Sequence, residues 1–325
     1  MGRSIGVLAT HYIWVGVVEG TSLAAARMYP EPGARLDLKS LPPDEFIARI
    51  REQIALVREG RPVDSVGAGF PGIVRNGVID DSPNLGQLKG MHVAAELAAA
   101  LQADGLDAPV TALNDADALA AGIAATRGAL EHFIRVWYLG DGVGFGRYPR
   151  VEGVWEGGHT VVSLDPKERF CGCGGLGHLE GIMGNRAMRL RFLDMEPEEV
   201  FAAAREDDAR AGDFVKLWHR ALAAATATSV HLDGPGRFYL SGPNADFVDL
   251  GLLGRYLQGR IISCPSVHKG FTARGTKEHA STNNRLKRGA LFPRASKPIA
   301  QREMIVGARK LGPPLTGSWE PMICK

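Results

Sequence analysis

Apolar and polar residues alternate along this chain in blocks that have the lengths of strands and helices. Two apolar runs on either side of Thr10 and His11 predict a β-hairpin over residues 5–18, and helical spacing predicts a helix over residues 43–59. The pattern continues with predicted strands at 65–70, 77–80, 110–113, 133–139 and 237–240 and predicted helices at 93–103, 116–127, 186–192, 197–206 and 211–230. Strands that alternate with helices indicate an α/β protein with substantial sheets.

Length and composition fit a globular protein without a membrane segment. The 325 residues are enough for two domains, and the 45% hydrophobic content is ordinary for such a chain. No apolar run reaches the length of a membrane span, and the first residues lack the pattern of a signal peptide. Four cysteines, two of them one residue apart, do not suggest a disulfide framework. We therefore expect a cytoplasmic protein with no membrane partner.

Charge is distributed unevenly. Residues 265–325 contain 12 Lys and Arg against 3 Asp and Glu, so this tail carries +9 and the preceding 264 residues carry −7. The tail shows little periodicity apart from a weak helical patch at 299–311. This pattern is typical of a divergent or disordered extension, or of a frame-shifted gene end. Few aromatic residues lie among the basic ones, so the tail gives little support to a nucleic-acid partner.

A cluster of candidate metal ligands lies between Glu156 and Glu180. Within twenty residues the chain carries two histidines and two cysteines, namely His159, Cys171, Cys173 and His178. Two Cys and two His side chains would complete a tetrahedral Zn²⁺ site, and the glycines beside them allow a tight turn. The alternative is a glycine-rich turn with two free thiols and two surface histidines. The spacing favours structural zinc.

Four ordered motifs resemble those of the ROK family (repressor, open reading frame, kinase). They are G-A-G-F-P-G at 67–72, S-P-N-L-G at 82–86, L-N-D-A-D-A-L-A-A-G at 113–122, and C-G-C-G-G-L-G-H-L-E at 171–180. The last resembles the zinc signature of the family, with His178 in place of a third cysteine. The resemblance extends from about residue 4 to about residue 245.

The resemblance implies a two-lobed, actin-like ATPase or ribonuclease H-like sugar kinase fold with its ligand cleft between the lobes. We expect an N-terminal α/β lobe over 1–112, a larger C-terminal lobe over 113–263 that carries the zinc loop at 156–180, and the basic tail over 264–325. The resemblance also implies a homodimer, a small sugar as ligand, and Mg-ATP as phosphate donor.

Asp115 is the candidate general base for sugar phosphorylation. It lies at a predicted strand-to-helix junction, where the helix N-terminus stabilises a carboxylate that can accept a proton from an alcohol. The alternative is a purely structural helix cap, since Asn and Asp are favoured there. The resemblance favours the catalytic interpretation. It also implies a set of sugar-binding residues, which are Asn84, Asn114, Glu156, His159 and Glu180.

The nucleotide side departs from the family pattern. The first phosphate motif of the family, D-x-G-G-T-K, places an acid for Mg²⁺ where this chain has Leu8, and its glycines fall on Thr10 and His11. A second, glycine-rich loop keeps its glycines for nucleotide binding, namely Gly140, Gly142, Gly144 and Gly146. In that loop Asp141 would repel a phosphate and Phe145 would add bulk beside it.

Three functional hypotheses follow. The first is an ATP-dependent, glucokinase-like kinase for a hexose or amino sugar, with Asp115 as base. The second is a sugar-binding sensor or partner protein that has lost ATP binding. The third is a repressor, which would need a winged helix of some seventy residues ahead of the first strand, where this sequence has only four. We name the kinase first.

Overall fold

The computed structural model describes residues 2–261 except 11, 32–33, 35, 152 and 154, together with the backbone of two strands at 274–275 and 302–306. The strands are β1 (Arg3–Ala9), β2 (Ile13–Glu19), β3 (Ser22–Tyr29), β4 (Ser65–Phe70), β5 (Ile73–Arg75), β6 (Val78–Asp81), β7 (Val110–Asn114), β8 (Ile134–Leu139), β9 (Val143–Tyr148), β10 (Gly236–Ser241), β11 (Arg274–Gly275) and β12 (Arg302–Val306). The helices are α1 (Pro43–Arg58), α2 (Val93–Ala103), α3 (Asp115–Thr126), α4 (Glu180–Met183), α5 (Asn185–Arg191), α6 (Pro197–Arg205), α7 (Ala209–Asp233) and α8 (Leu250–Leu257).

The first sheet has the strand order β3-β2-β1-β4-β7. β1, β2 and β3 form an antiparallel meander, whereas β4 pairs in parallel with both β1 and β7. Alternate residues of β1, such as Ile5 and Val7, point into a core that also contains Phe46 and Ile50 of α1 and Leu97 of α2. The parallel strands place their carboxyl ends at one edge of the sheet, which is where ligands collect in sheets of this kind.

The second sheet has the order β11-β12-β10-β8-β9, with β8 and β10 parallel. One face packs against a core that includes Trp218 and Leu222 of α7. α3 packs against the other face, where Leu119 and Ile123 meet Ile134 of β8. α3 also contacts β4 of the first sheet, so this helix joins the two sheets.

Most predicted elements are present within one or two residues of their expected ends. The hydrophobic periodicity did not predict β3, β5, β9, α4 or α8, nor the tail strands β11 and β12. β9 lies within the glycine-rich stretch, and its pairing with β8 overrides the weak strand propensity of glycine. The predicted division into lobes stays a prediction.

The basic tail from residue 264 lies outside the described residues apart from β11 and β12. β12 occupies part of the stretch 299–311, for which a weak helix was expected, and there that prediction is wrong. The antiparallel backbone pairing of β12 with β10 decides the conformation. In the part of the chain that the structure describes, no helix is long and apolar enough to cross a membrane.

Candidate active site

Asp115 begins α3 directly after β7, with no loop between the two elements. The cap of this helix is Asn114, whose side-chain oxygen accepts hydrogen bonds from the backbone N–H of Ala116 at 2.9 Å and of Asp117 at 3.3 Å. The Asn114 amide also donates to the carbonyl of Gly72 at 2.8 Å, which fixes the junction to the turn after β4. Asn114 therefore performs the capping of α3.

Burial controls the protonation of Asp115. Desolvation raises the pKa of this carboxyl to about 7, and the negative charges of Asp117 and Glu156 act in the same direction. Hydrogen bonds from backbone N–H groups, including that of Ala116 at 2.9 Å, oppose the shift. A carboxylate with a pKa near neutrality is well suited to accept a proton in the transition state.

Glu180 connects two parts of the site. It is the first residue of α4, and its Oε2 accepts a hydrogen bond from the backbone N–H of Val143 at 3.1 Å. Its other carboxylate oxygen, Oε1, lies 3.7 Å from Cys171 Sγ. Glu180 therefore links the glycine loop to the cysteine pair.

The remaining predicted sugar ligands lie at different depths. His159 is half-buried at the end of a short 3-10 helix, and Glu156 is exposed just before that helix. The charge of Glu156 adds to the rise in the pKa of Asp115. Asn84 is exposed in the turn after β6, and it makes no hydrogen bond to the other four among the described residues.

The glycine loop forms a tight turn between β8 and β9, closed by a hydrogen bond from Gly140 N–H to the Gly142 carbonyl at 3.0 Å. A side chain at Gly142 would come within 2.5 Å of Glu180 Oε2, and one at Gly146 would overlap the carbonyl of Ala116. Gly146 is therefore required by the protein's own packing, whatever the loop binds, whereas a side chain at position 142 would displace only the end of the Glu180 side chain.

Asp141 lies exposed at the tip of this loop and accepts a hydrogen bond from Asn185 Nδ2 at 3.0 Å. Asn244 Nδ2 in turn donates to Asn185 Oδ1 at 2.6 Å. Neither asparagine was expected from the sequence as a support of the loop. The signal that could have identified them is their position at the start of a helix. Asn185 follows Gly184 as the first residue of α5, and Asn244 follows Pro243 in a short 3-10 helix.

Phe145 does not add bulk beside the phosphate position, so that expectation is wrong. Its ring packs on Trp137 with the ring centroids 4.4 Å apart, and its Cβ lies against Gly157. Successive residues of a strand point to opposite faces, and this alternation directs Phe145 into the core.

Leu8 supplies no metal ligand at the first phosphate motif. Its side chain is half-buried beside Gly69 and lines an apolar cavity of about 240 Å³ between the first sheet and α3. Trp14, Leu113 and Ala118 also line this cavity. The hairpin expected here is confirmed, with Thr10 N–H donating to the Tyr12 carbonyl at 2.9 Å. Leu8 and the apolar side chains that line this cavity offer no oxygen ligand, so they do not fit a Mg²⁺ ion.

The cysteine and histidine cluster does fit a metal ion. Ligand atoms of His159, Cys171 and Cys173 all lie within 4.8 Å of one another. The two sulfurs are 3.3 Å apart, close to the roughly 3.8 Å expected in a tetrahedral zinc site with Zn–S bonds of about 2.3 Å.

His178, the fourth predicted ligand, contacts the cluster through Cys173. Its Nδ1 lies 3.2 Å from Cys173 Sγ, and its ring stacks on that of His159 with centroids 5.2 Å apart. A side chain at Gly175 would overlap the His178 ring, so this glycine lets the ring approach. Burial and the His159 charge lower the pKa of His178, which favours the neutral imidazole that binds metals.

The chain is similar to known proteins over most of its length. The sequence pattern of the ROK family matches residues 39–249. A glucokinase from Pyrobaculum calidifontis is 30% identical over 230 residues, which is 65% of this chain and 73% of that protein.

Solved structures agree with this similarity. A ROK hexokinase from Thermus thermophilus superposes with a TM-score of 0.65 at 24% identity, over 80% of this chain and 87% of that one. A ROK family glucokinase from Streptomyces griseus, solved in complex with glucose and AMPPNP, superposes with a TM-score of 0.58 at 23% identity, over 79% and 88% of the two chains. The fold is that of the actin-like ATPase class. This chain belongs to the ROK family.

Proposed function

We propose that this protein is an ATP-dependent kinase for a hexose or amino sugar, with Asp115 as general base. The observation that carries the proposal is Asp115 at the start of α3, with its pKa raised to about 7, next to the charge of Glu156. Family membership and the 30% identical glucokinase support a sugar as the acceptor.

In the proposed reaction, Asp115 accepts the proton of a sugar hydroxyl while the hydroxyl oxygen attacks the γ-phosphorus of ATP. The O–P bond to the sugar forms, the bond to the bridging oxygen of ADP breaks, and ADP leaves. Glu156, His159 and Glu180 would hold other hydroxyls of the sugar, since carboxylates and imidazoles pair well with vicinal diols. The glycine loop would lie against the phosphates.

We further propose that zinc bound by Cys171, Cys173, His159 and His178 is structural. When bound, the ion would neutralise the thiolates and fix the loop that carries His159 and Glu180. Glu180 also accepts a hydrogen bond from the Val143 N–H. Zinc that orders the loop at 156–180 would therefore also order the glycine loop. Zinc would therefore support both the loop that carries His159 and Glu180 and the glycine loop, without entering the reaction.

Ligand-dependent stabilisation tests the function directly. We expect glucose, N-acetylmannosamine or N-acetylglucosamine to raise the melting temperature, and Mg-ATP to raise it independently, since a ligand that binds only the folded state stabilises it. Differential scanning fluorimetry followed by a coupled kinase assay measures both. Stabilisation by a sugar alone, without turnover, would instead identify a sugar-binding protein, the outcome that Leu8 would explain.

The pH dependence of turnover tests Asp115. Only the ionised carboxylate accepts a proton, so kcat/KM for the sugar should rise with pH and reach half its maximum near pH 7. Asp117→Asn removes one of the charges that raise the pKa of Asp115, so this variant should shift the midpoint to lower pH. Initial rates from about pH 5 to about pH 9 measure both midpoints. A flat profile would contradict the assignment.

A further inference from the structure

Tyr138 lies along the glycine loop and has no role in the function proposed so far. It is a half-buried residue of β8, paired with Gly144 of β9. A methyl group at Gly140 would lie 3.4 Å from Tyr138 Cε1, and one at Gly144 would lie 3.4 Å from Tyr138 Cβ. The tyrosine therefore forms the side of the loop that faces α3.

The surroundings of the Tyr138 hydroxyl are negatively charged. Burial raises the pKa of this phenol to about 12, and the charges of Asp115 and Asp141 add to the shift. The hydroxyl consequently keeps its proton throughout the physiological range and remains a donor. Among the residues that the structure describes, it makes no hydrogen bond, and it is not enclosed in the core.

A phosphoryl group between Asp115 and Asp141 needs donors that offset the two carboxylates. Position 8 provides neither a metal ligand nor a donor, because Leu8 lines an apolar cavity. A neutral hydroxyl can donate to a phosphoryl oxygen without bringing further negative charge. Tyr138 carries such a hydroxyl on a half-buried ring that lies along Gly140 and Gly144, where the charges of both carboxylates reach it.

Building on the kinase function proposed above, we infer that the Tyr138 hydroxyl donates a hydrogen bond to the phosphoryl group as it passes from ATP to the sugar oxygen. The proton of the sugar hydroxyl goes to Asp115, and Tyr138 keeps its own proton throughout. Tyr138 thus stabilises charge on the transferring group, and it does not act as acid or base.

Tyr138→Phe tests this inference, because phenylalanine preserves the ring that packs along Gly140 and Gly144. We expect kcat to fall about 100-fold, the usual effect of losing one donor to a developing charge, while the dissociation constant for glucose changes little. Tyr148→Phe is the matched control. Tyr148 packs partly buried against the same apolar cluster as Tyr138 but at the opposite end of β9, so its variant should keep wild-type kcat.

The outcomes separate this inference from the proposed function. If the wild-type protein phosphorylates a sugar and Tyr138→Phe has the same kcat, the inference is overturned and the kinase function stays intact. A loss of glucose binding in Tyr138→Phe, measured by calorimetry, would also overturn it, because the tyrosine would then belong to the sugar site. A wild-type protein that phosphorylates none of the three sugars would defeat the kinase function and the inference together.

Discussion

Replacing Asp115 with asparagine will lower kcat for sugar phosphorylation by about a thousandfold, within the range that general-base catalysis contributes. Asparagine has nearly the same shape and can still hydrogen-bond a sugar hydroxyl, but it cannot accept the proton. Sugar binding should therefore remain within a few-fold of the wild type. A coupled assay measures kcat, and calorimetry with glucose measures binding.

Asp117→Asn is the matched control for this experiment. Asp117 lies two residues further along α3, and its Oδ1 accepts a hydrogen bond from Arg147 N–H at 2.8 Å. An amide oxygen can replace that acceptor, so the variant should fold and retain turnover. If Asp115→Asn keeps more than about a tenth of wild-type kcat, far above the effect expected of a lost base, the proton acceptor lies elsewhere.

Removing the metal will have the largest effect on stability. We expect about one zinc per chain, and a melting temperature that falls by roughly 10 °C in a strong chelator, since an ion bound about a thousandfold above its dissociation constant contributes about 4 kcal/mol. Cys173→Ser should reproduce the loss by weakening zinc binding. Elemental analysis and scanning fluorimetry measure occupancy and melting temperature.

Cys264→Ser provides the control for the cysteine variant, because this residue lies outside the proposed ligand set. It should retain both zinc and melting temperature. Carefully purified wild-type protein that contains no zinc, with a melting temperature insensitive to chelator, would disprove the metal assignment. The glycine-rich turn with free thiols would then be the correct interpretation of residues 171–178.

The sequence predicted the fold because its information is local and repeated. Apolar residues at helical spacing located α1 and α7 within a few residues, and alternation located β1 and β4. The α/β class followed from their order. β3 was missed because its residues are half-buried or exposed, so the strand lacks a clear alternation of apolar and polar positions. Its pairing with β2, and not its composition, makes it a strand.

Directions of side chains were decided by the tertiary structure. Phe145 looked like an obstacle in a phosphate loop, but strand alternation turns it into the core. Gly142 is predicted to bind a nucleotide, and in the structure it also leaves room for Glu180. Arg135 appears in the sequence as a charge within a strand. In the structure it is fully buried between the rings of Phe133 and Phe238 and donates to the carbonyls of Ser229 and Gly234. The two carbonyls lie 94 and 99 residues away along the chain.

The sequence by itself determined the chemical inventory of this protein: a family motif with Asp115, two cysteines and two histidines close enough to share a metal, and the absence of an acid at position 8. Residue types and short spacings are sufficient for those conclusions. Only the tertiary structure decided that Asn114 ties the start of α3 to Gly72, that Glu180 bridges the cysteines and the glycine loop, and that the Tyr138 ring lies along Gly140 and Gly144. The hydrogen bonds of Asn114 to Gly72 and of Glu180 to Val143 join residues far apart in sequence, so they depend on how the chain folds in space.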